Sequence, residues 1–164
     1  MPNEYLATYL NDHLAGSEAA LELLDHLDRE HSGTPIAMLT AGLREDITAD
    51  RRELEALMAR LGIDQSSTRK ATAWLSAKAT QLKLKLDDPA GGKLRLLEIL
   101  DALSVGIEGK RLLWRALKTA AITNADLRGT DYQALEHRAD DQRLGIEPFR
   151  LGAAKGTFGT GLSS

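Results

Sequence analysis

The stretch VGIEGKRLLWRAL, Val105–Leu117, decides how the chain is read. Counting by threes and fours through it gives Leu100, Ser104, Ile107, Arg111, Trp114 and Leu117, the spacing of a helix with one inward face. Arg111 interrupts that stripe between Ile107 and Trp114. A guanidinium stays protonated and only donates hydrogen bonds, so an inward Arg111 needs acids on the helices it faces.

The same periodicity extends along the chain. A first helix is expected from Asn3, a good N-cap, to about residue 29, with Leu6, Leu10, His13, Ser17, Ala20, Leu24 and Leu27 inward. Thr34-Pro35 reads as a helix start, with the threonine hydroxyl capping free amides. The second stripe is then Ile36, Leu39, Leu43, Ile47, Asp50, Leu54, Leu57 and Leu61, with Gly62 as the stop. The short link makes these two helices an antiparallel hairpin. A further helix is expected at 67–86, although LKLKL within it alternates like a strand, and DDPAGG then breaks the chain. The helix holding Arg111 spans about 93–122. Thr130 and Gln133 have capping-box spacing before a last helix that Gly145 and Pro148 should kink or divide. Its inward stripe has two solutions: one admits Asp140 and Arg143, the other follows Leu135, Ala139, Gln142, Ile146 and Phe149. The reading is all-α: one helical bundle domain over 1–156 and a glycine-rich tail over 157–164.

Composition narrows the chemistry. A length of 164 residues with 43% apolar side chains supports a full core, and aromatics at 4% leave leucine and alanine to fill it. The absence of cysteine removes disulfides, thiolate metal sites and thiol nucleophiles together. A net charge of −3, with acids interspersed among the basic runs, argues against a nucleic-acid surface. MPNEYLATYLNDH lacks the basic-then-apolar order of a signal peptide, and no run is apolar enough for a membrane span, so a cytoplasmic protein is expected. The tail GTFGTGLSS has glycines but no strand before it or helix after it, unlike a phosphate loop. Trp74 and Trp114 read as core or interface anchors, and the Glu18, Glu22, His26 ladder as a solvated helix face.

Four segments, YLNDHLAGSEAALELL, LREDITADRRELEALMARLG, GIEGKRLLWRALKTAA and ADDQRLGIEPFRLGAA, together resemble the ferritin-like superfamily, nearest its small bacterial stress-associated members, over about residues 3–155. The resemblance implies an antiparallel four-helix bundle with one long crossover, which here carries the extra helix. In iron-binding members two helices give one Glu each and two give a Glu-x-x-His pair, directed into the bundle's middle. Aligned on this chain, those positions hold Ser17, then Ile47 and Asp50, then Arg111, then Asp140 and Arg143. Only Asp50 and Asp140 retain a ligand.

The expectation is therefore a metal-free ferritin-like protein without catalytic or cofactor residues. Arg111 and Arg143 would replace the cations, Asp50 and Asp140 would be their counter-ions, and His13 and Ser17 would complete a polar layer. Truncating Arg111 should then destabilise the fold strongly. A structural or interaction role as a homodimer is expected, with Leu23, Leu84, Leu96 and Leu112 as surface candidates and no nucleic-acid or membrane partner. The alternative is a di-iron or iron-handling oxidase, in which a one-residue slip brings Glu45, Asp46 and Glu108 inward.

Overall fold

Local signals set the helix ends. Residues 3–65 and 92–160 are described by a computed structural model, and the helix expected at 67–86, with Trp74 and Leu84, lies outside them. Helix α1 runs Glu4–Glu30, and the Asn3 side chain accepts a hydrogen bond from the Tyr5 amide at 2.9 Å. Helix α2 runs Pro35–Arg60. Thr34 precedes it as expected, but its hydroxyl donates backward to the His31 carbonyl instead of capping an amide. Gly62 ends α2 at φ +65°, a left-handed conformation that a Cβ disfavours.

Helix α3 spans Gly92–Ala120, about 44 Å at 1.5 Å per residue. A short 3₁₀ turn, Ala125–Leu127, leads to helix α4, Tyr132–Phe158. The cap of α4 is Asp131, whose carboxylate accepts from the Ala134 amide at 3.0 Å, while Thr130 accepts from Arg60. Pro148 does not divide α4 as its ring chemistry suggested. Leu144, whose carbonyl loses its amide partner at Pro148, is exposed like Pro148 itself, so water can take the place of the missing bond. Helix α4 takes in the first two residues of the expected tail, and Phe158 at its end is 70% exposed.

Two apolar clusters fix the directions of the helices. One joins Leu10 and Leu14 of α1, Leu54, Leu57 and Met58 of α2, Leu113, Trp114 and Leu117 of α3, and Tyr132 and Leu135 of α4. The other joins the opposite halves: Leu24 and Leu27, Leu43 and Ile47, Leu97 to Ile107, and Ala139 to Ala153. Helices α1 and α4 therefore run one way, and α2 and α3 the other. The closest packing is α3 on α4 and α1 on α2, with α1 also touching α3 and α2 touching α4. Because α2 and α3 are parallel, the connection from Gln65 to Gly92 joins opposite ends of the bundle. Among the described residues no helix is long and apolar enough to cross a membrane.

Leu100 is fully buried in the second cluster and Val105, five residues on, is 61% exposed. Leu100→Ala should lower unfolding free energy by about 3 kcal/mol. Val105→Ala should stay within about 0.5 kcal/mol of the parent. Urea denaturation of the two variants checks the inward face assigned to α3.

Candidate functional site

Between the two apolar clusters the bundle turns polar side chains inward. Asp50 lies between Ile47 and Leu54 on α2, Lys110 between Ile107 and Leu113 on α3, and Gln142 between Ala139 and Ile146 on α4. The Asp50 side chain is 2% exposed. Its Oδ2 accepts from Lys110 Nζ at 2.5 Å and from Gln142 Nε2 at 3.1 Å. Its Oδ1 stands 3.2 Å from Arg138 Nη1 in an ion pair. Lys110 also donates to Gln142 Oε1 at 2.5 Å, closing a three-membered ring of hydrogen bonds. Burial pushes the Lys110 ammonium below its ordinary range, and the Asp50 charge and hydrogen bond pull against that shift. A carboxylate shut away from water needs this set of partners, because an uncompensated buried charge costs several kcal/mol.

A second group stands on the flank, at the seam of α3 and α4. Arg111 grips Glu108 side-on, through Nε at 2.9 Å and Nη2 at 2.7 Å, and lies 3.6 Å from Asp140. Arg143 donates to the same Glu108 at 2.8 Å. The Arg111 hydrogen bond is the main cause that holds the Glu108 carboxyl below the usual carboxylate range, and Glu108 in turn raises the Arg111 guanidinium. Glu108 thus serves two arginines.

The six residues singled out from sequence fall into separate places. Asp50 lies in the buried layer; Arg111, Asp140 and Arg143 meet on the flank. Ser17 donates to the Leu14 carbonyl at 2.6 Å and accepts from Arg51 Nη1 at 3.2 Å, tying α1 to α2 outside the Asp50 ring. His13 packs edge-on against Tyr9, with ring centres 4.7 Å apart. Burial lowers the His13 imidazole to about 4, against the pull of Asp12, so it is neutral near pH 7.

The cation of Asp50 is therefore Lys110 and not Arg111. The cause is one residue of helical phase: adjacent side chains differ by about 100° around the axis. The face that points inward carries Leu100, Leu103, Ile107, Lys110, Trp114 and Leu117, whereas Ser104 and Arg111 sit at its edge. On α4 the stripe through Leu135, Ala139, Gln142 and Ile146 is the buried one, which leaves Asp140 and Arg143 beside it. Sequence reading missed Lys110 and Arg138. The signal lay in Asp50 itself, since an inward acid calls for a cation at the same level, and Lys110 occurs at the i+3 step from Ile107.

Di-iron ligation does not fit these residues. Among the described residues no three His, Asp or Glu side chains converge as a metal would require. At the level of Asp50 the inward side chains are an ammonium and an amide, and one of the two carboxylate oxygens already accepts two hydrogen bonds. Of the acids that a one-residue slip would bring inward, Glu45 is exposed, Glu108 faces Arg111 and Arg143, and Asp46 is part-buried and acts on the Lys110 ammonium.

Lys110→Met should cost about 3 kcal/mol, because it strips Asp50 of its closest cation. Adding Asp50→Leu to that variant should recover part of the loss, since no charge then needs a buried partner. Arg111→Met should shift the urea midpoint far less than Lys110→Met, and equal shifts would contradict the two-tier arrangement. His13 sets an acid dependence. Its folded value of about 4 lies below the unfolded 6.5, so the unfolded chain takes up the proton first. Stability from this group is constant above pH 6.5 and falls by about 3 kcal/mol in total as pH drops through 4. Denaturation of His13→Leu and the parent at both ends of that window should show a smaller acid loss in the variant. Comparison of the chain with protein-family models, with characterised proteins and with solved structures finds no match in any of the three.

Proposed function

We propose that the chain is a ferritin-like bundle whose metal centre is replaced by a covalently tethered cation, and that it acts as a structural or interaction module. The parallel pair α2 and α3, joined end to opposite end, supports that fold reading, since one long crossover is the mark of ferritin-like connectivity. The observation that carries the functional reading is the Lys110 ammonium between Asp50 and Gln142, midway along the bundle, where the resemblance puts metal ligands. With Lys110 in that position the middle of the bundle is closed by direct bonds among its own side chains. Activity then belongs to the outer surfaces.

A homodimer is part of this reading. Of the surface candidates, Leu23 and Leu96 pack against the chain's own core, and Leu112 stays exposed. Val105, Leu112, Leu144 and Leu151 place exposed apolar groups along the outer side of α3 and α4. Their charged neighbours are already paired within the chain, Arg150 with Glu147 and Asp101, and Arg143 with Glu108. Such a face can be covered at little electrostatic cost.

The test is metal analysis of protein purified without chelator from iron-supplemented cells, with light scattering on the same sample. The expected result is iron far below one per chain and a particle of twice the chain mass. Two irons per chain would overturn the reading.

A further inference from the structure

At one end of the bundle the last turns of α1 lie beside the first turns of α3, because the two helices are antiparallel and Leu24 and Leu27 share a cluster with Leu97 and Leu100. His26 and Arg95 stand in these same turns. Arg95 Nε and Nη2 and His26 Nε2 are shut off from water, and none of the three has a hydrogen-bond partner. Five arginines elsewhere along the bundle, Arg44, Arg51, Arg111, Arg143 and Arg150, each hold a carboxylate within 3.2 Å, even where one nitrogen, Arg143 Nε, is itself buried without a hydrogen bond. The first turn of α3 carries no acid. Buried donors are satisfied in almost all native proteins, and a guanidinium edge without an acceptor is costly enough to demand an explanation.

We infer that Arg95 and His26 form a binding site for a phosphate-type oxyanion at the α1–α3 end of the bundle. The Nε–Nη2 edge is the side of a guanidinium that takes two oxygens of a carboxylate or phosphate in parallel. In its Nε2–H tautomer His26 adds a third donor from the other helix. Three donors on two helices suit a tetrahedral anion with at least three free oxygens better than a carboxylate with two. The surrounding charge favours an anion as well: Arg29, His31 and Arg95 face His26 against the single acid Glu30. The positive end of the α3 macrodipole acts in the same sense. At this end Gly92, Lys93 and Leu94 are exposed, and Arg95 and His26 as whole residues are part-buried.

The experiment titrates inorganic phosphate into the full chain at constant ionic strength, held with chloride, and follows the melting temperature. The parent should melt higher in a saturable manner. In Arg95→Met the half-saturating concentration should rise on the order of tenfold or more, with a smaller rise in His26→Phe. Without phosphate, Arg95→Met should melt at or above the parent, since it removes an unpartnered charge; this arm also shows that the variant folds. A lower melting temperature for Arg95→Met without phosphate would mean that Arg95 serves a partner within the chain, and would overturn the site. So would a phosphate response that chloride reproduces, or one that is equal in parent and Arg95→Met.

Discussion

A single carboxylate, that of Asp50, sets the terms for the packing of three helices. Once it lies inside the bundle, Lys110 of α3 and Gln142 and Arg138 of α4 must stand at its level. Leucine layers alone impose no such condition, because a leucine-rich face offers nearly equivalent neighbours one turn away. Sliding α2 by one turn, about 5.4 Å, would keep much of the apolar contact but remove Asp50 from every one of its donors. The polar layer is thus the part of the core that tolerates one register only. It separates the two apolar clusters, and α1, α2, α3 and α4 each contribute to both.

The neighbouring residues Lys110 and Arg111 show how steeply the weight of a charge depends on its direction. Lys110 points to the axis, where its compact ammonium has two acceptors and little water. Arg111 is scarcely more exposed than Lys110, but its planar fork holds the two oxygens of Glu108, a carboxylate 30% exposed where that of Asp50 is 2%. Exchanging the two would misplace both shapes. A guanidinium carries more donors than Asp50 Oδ2 and Gln142 Oε1 can accept there, and a lysine cannot grip Glu108 side-on.

What was legible in the sequence is what depends on neighbours in the chain. Asn3 as a cap, Pro35 as a first helical residue, Gly62 as a stop, and the inward run Leu43, Ile47, Asp50, Leu54, Leu57 on α2 are all local facts of spacing and backbone preference. The all-α architecture follows from them. The cation opposite Asp50 was not legible in the same way. A stripe stepped by threes and fours can pass through Ser104 and Arg111 or through Leu103 and Lys110, and only the packing of α3 against two other helices decides between the phases. Thr34 and Thr130 went astray for a related reason: a hydroxyl near a helix start has several acceptors or donors in reach, and His31 and Arg60 provide competing ones. Pro148 is tolerated within α4 because of the side on which it falls, which composition does not reveal. His26 sits in a ladder that reads as solvated, yet one ring nitrogen is enclosed, since α3 crosses beside it.

The two ends of this distribution of charge bear on where a partner can act. In the middle of the bundle Lys110 and Gln142 make their hydrogen bonds within the ring around Asp50, and Arg138 stands in an ion pair with the remaining carboxylate oxygen, which has no hydrogen bond, so an incoming ion or ligand would have to displace charges already paired. At the α1–α3 end, donors of Arg95 and His26 are held out of water with none of theirs formed. Binding free energy is available where polar groups are oriented but unsatisfied, and is largely spent where they are already matched. A four-helix bundle bonded in this way at its centre therefore keeps its capacity for recognition at its rim, and there the chemistry is that of a cationic edge.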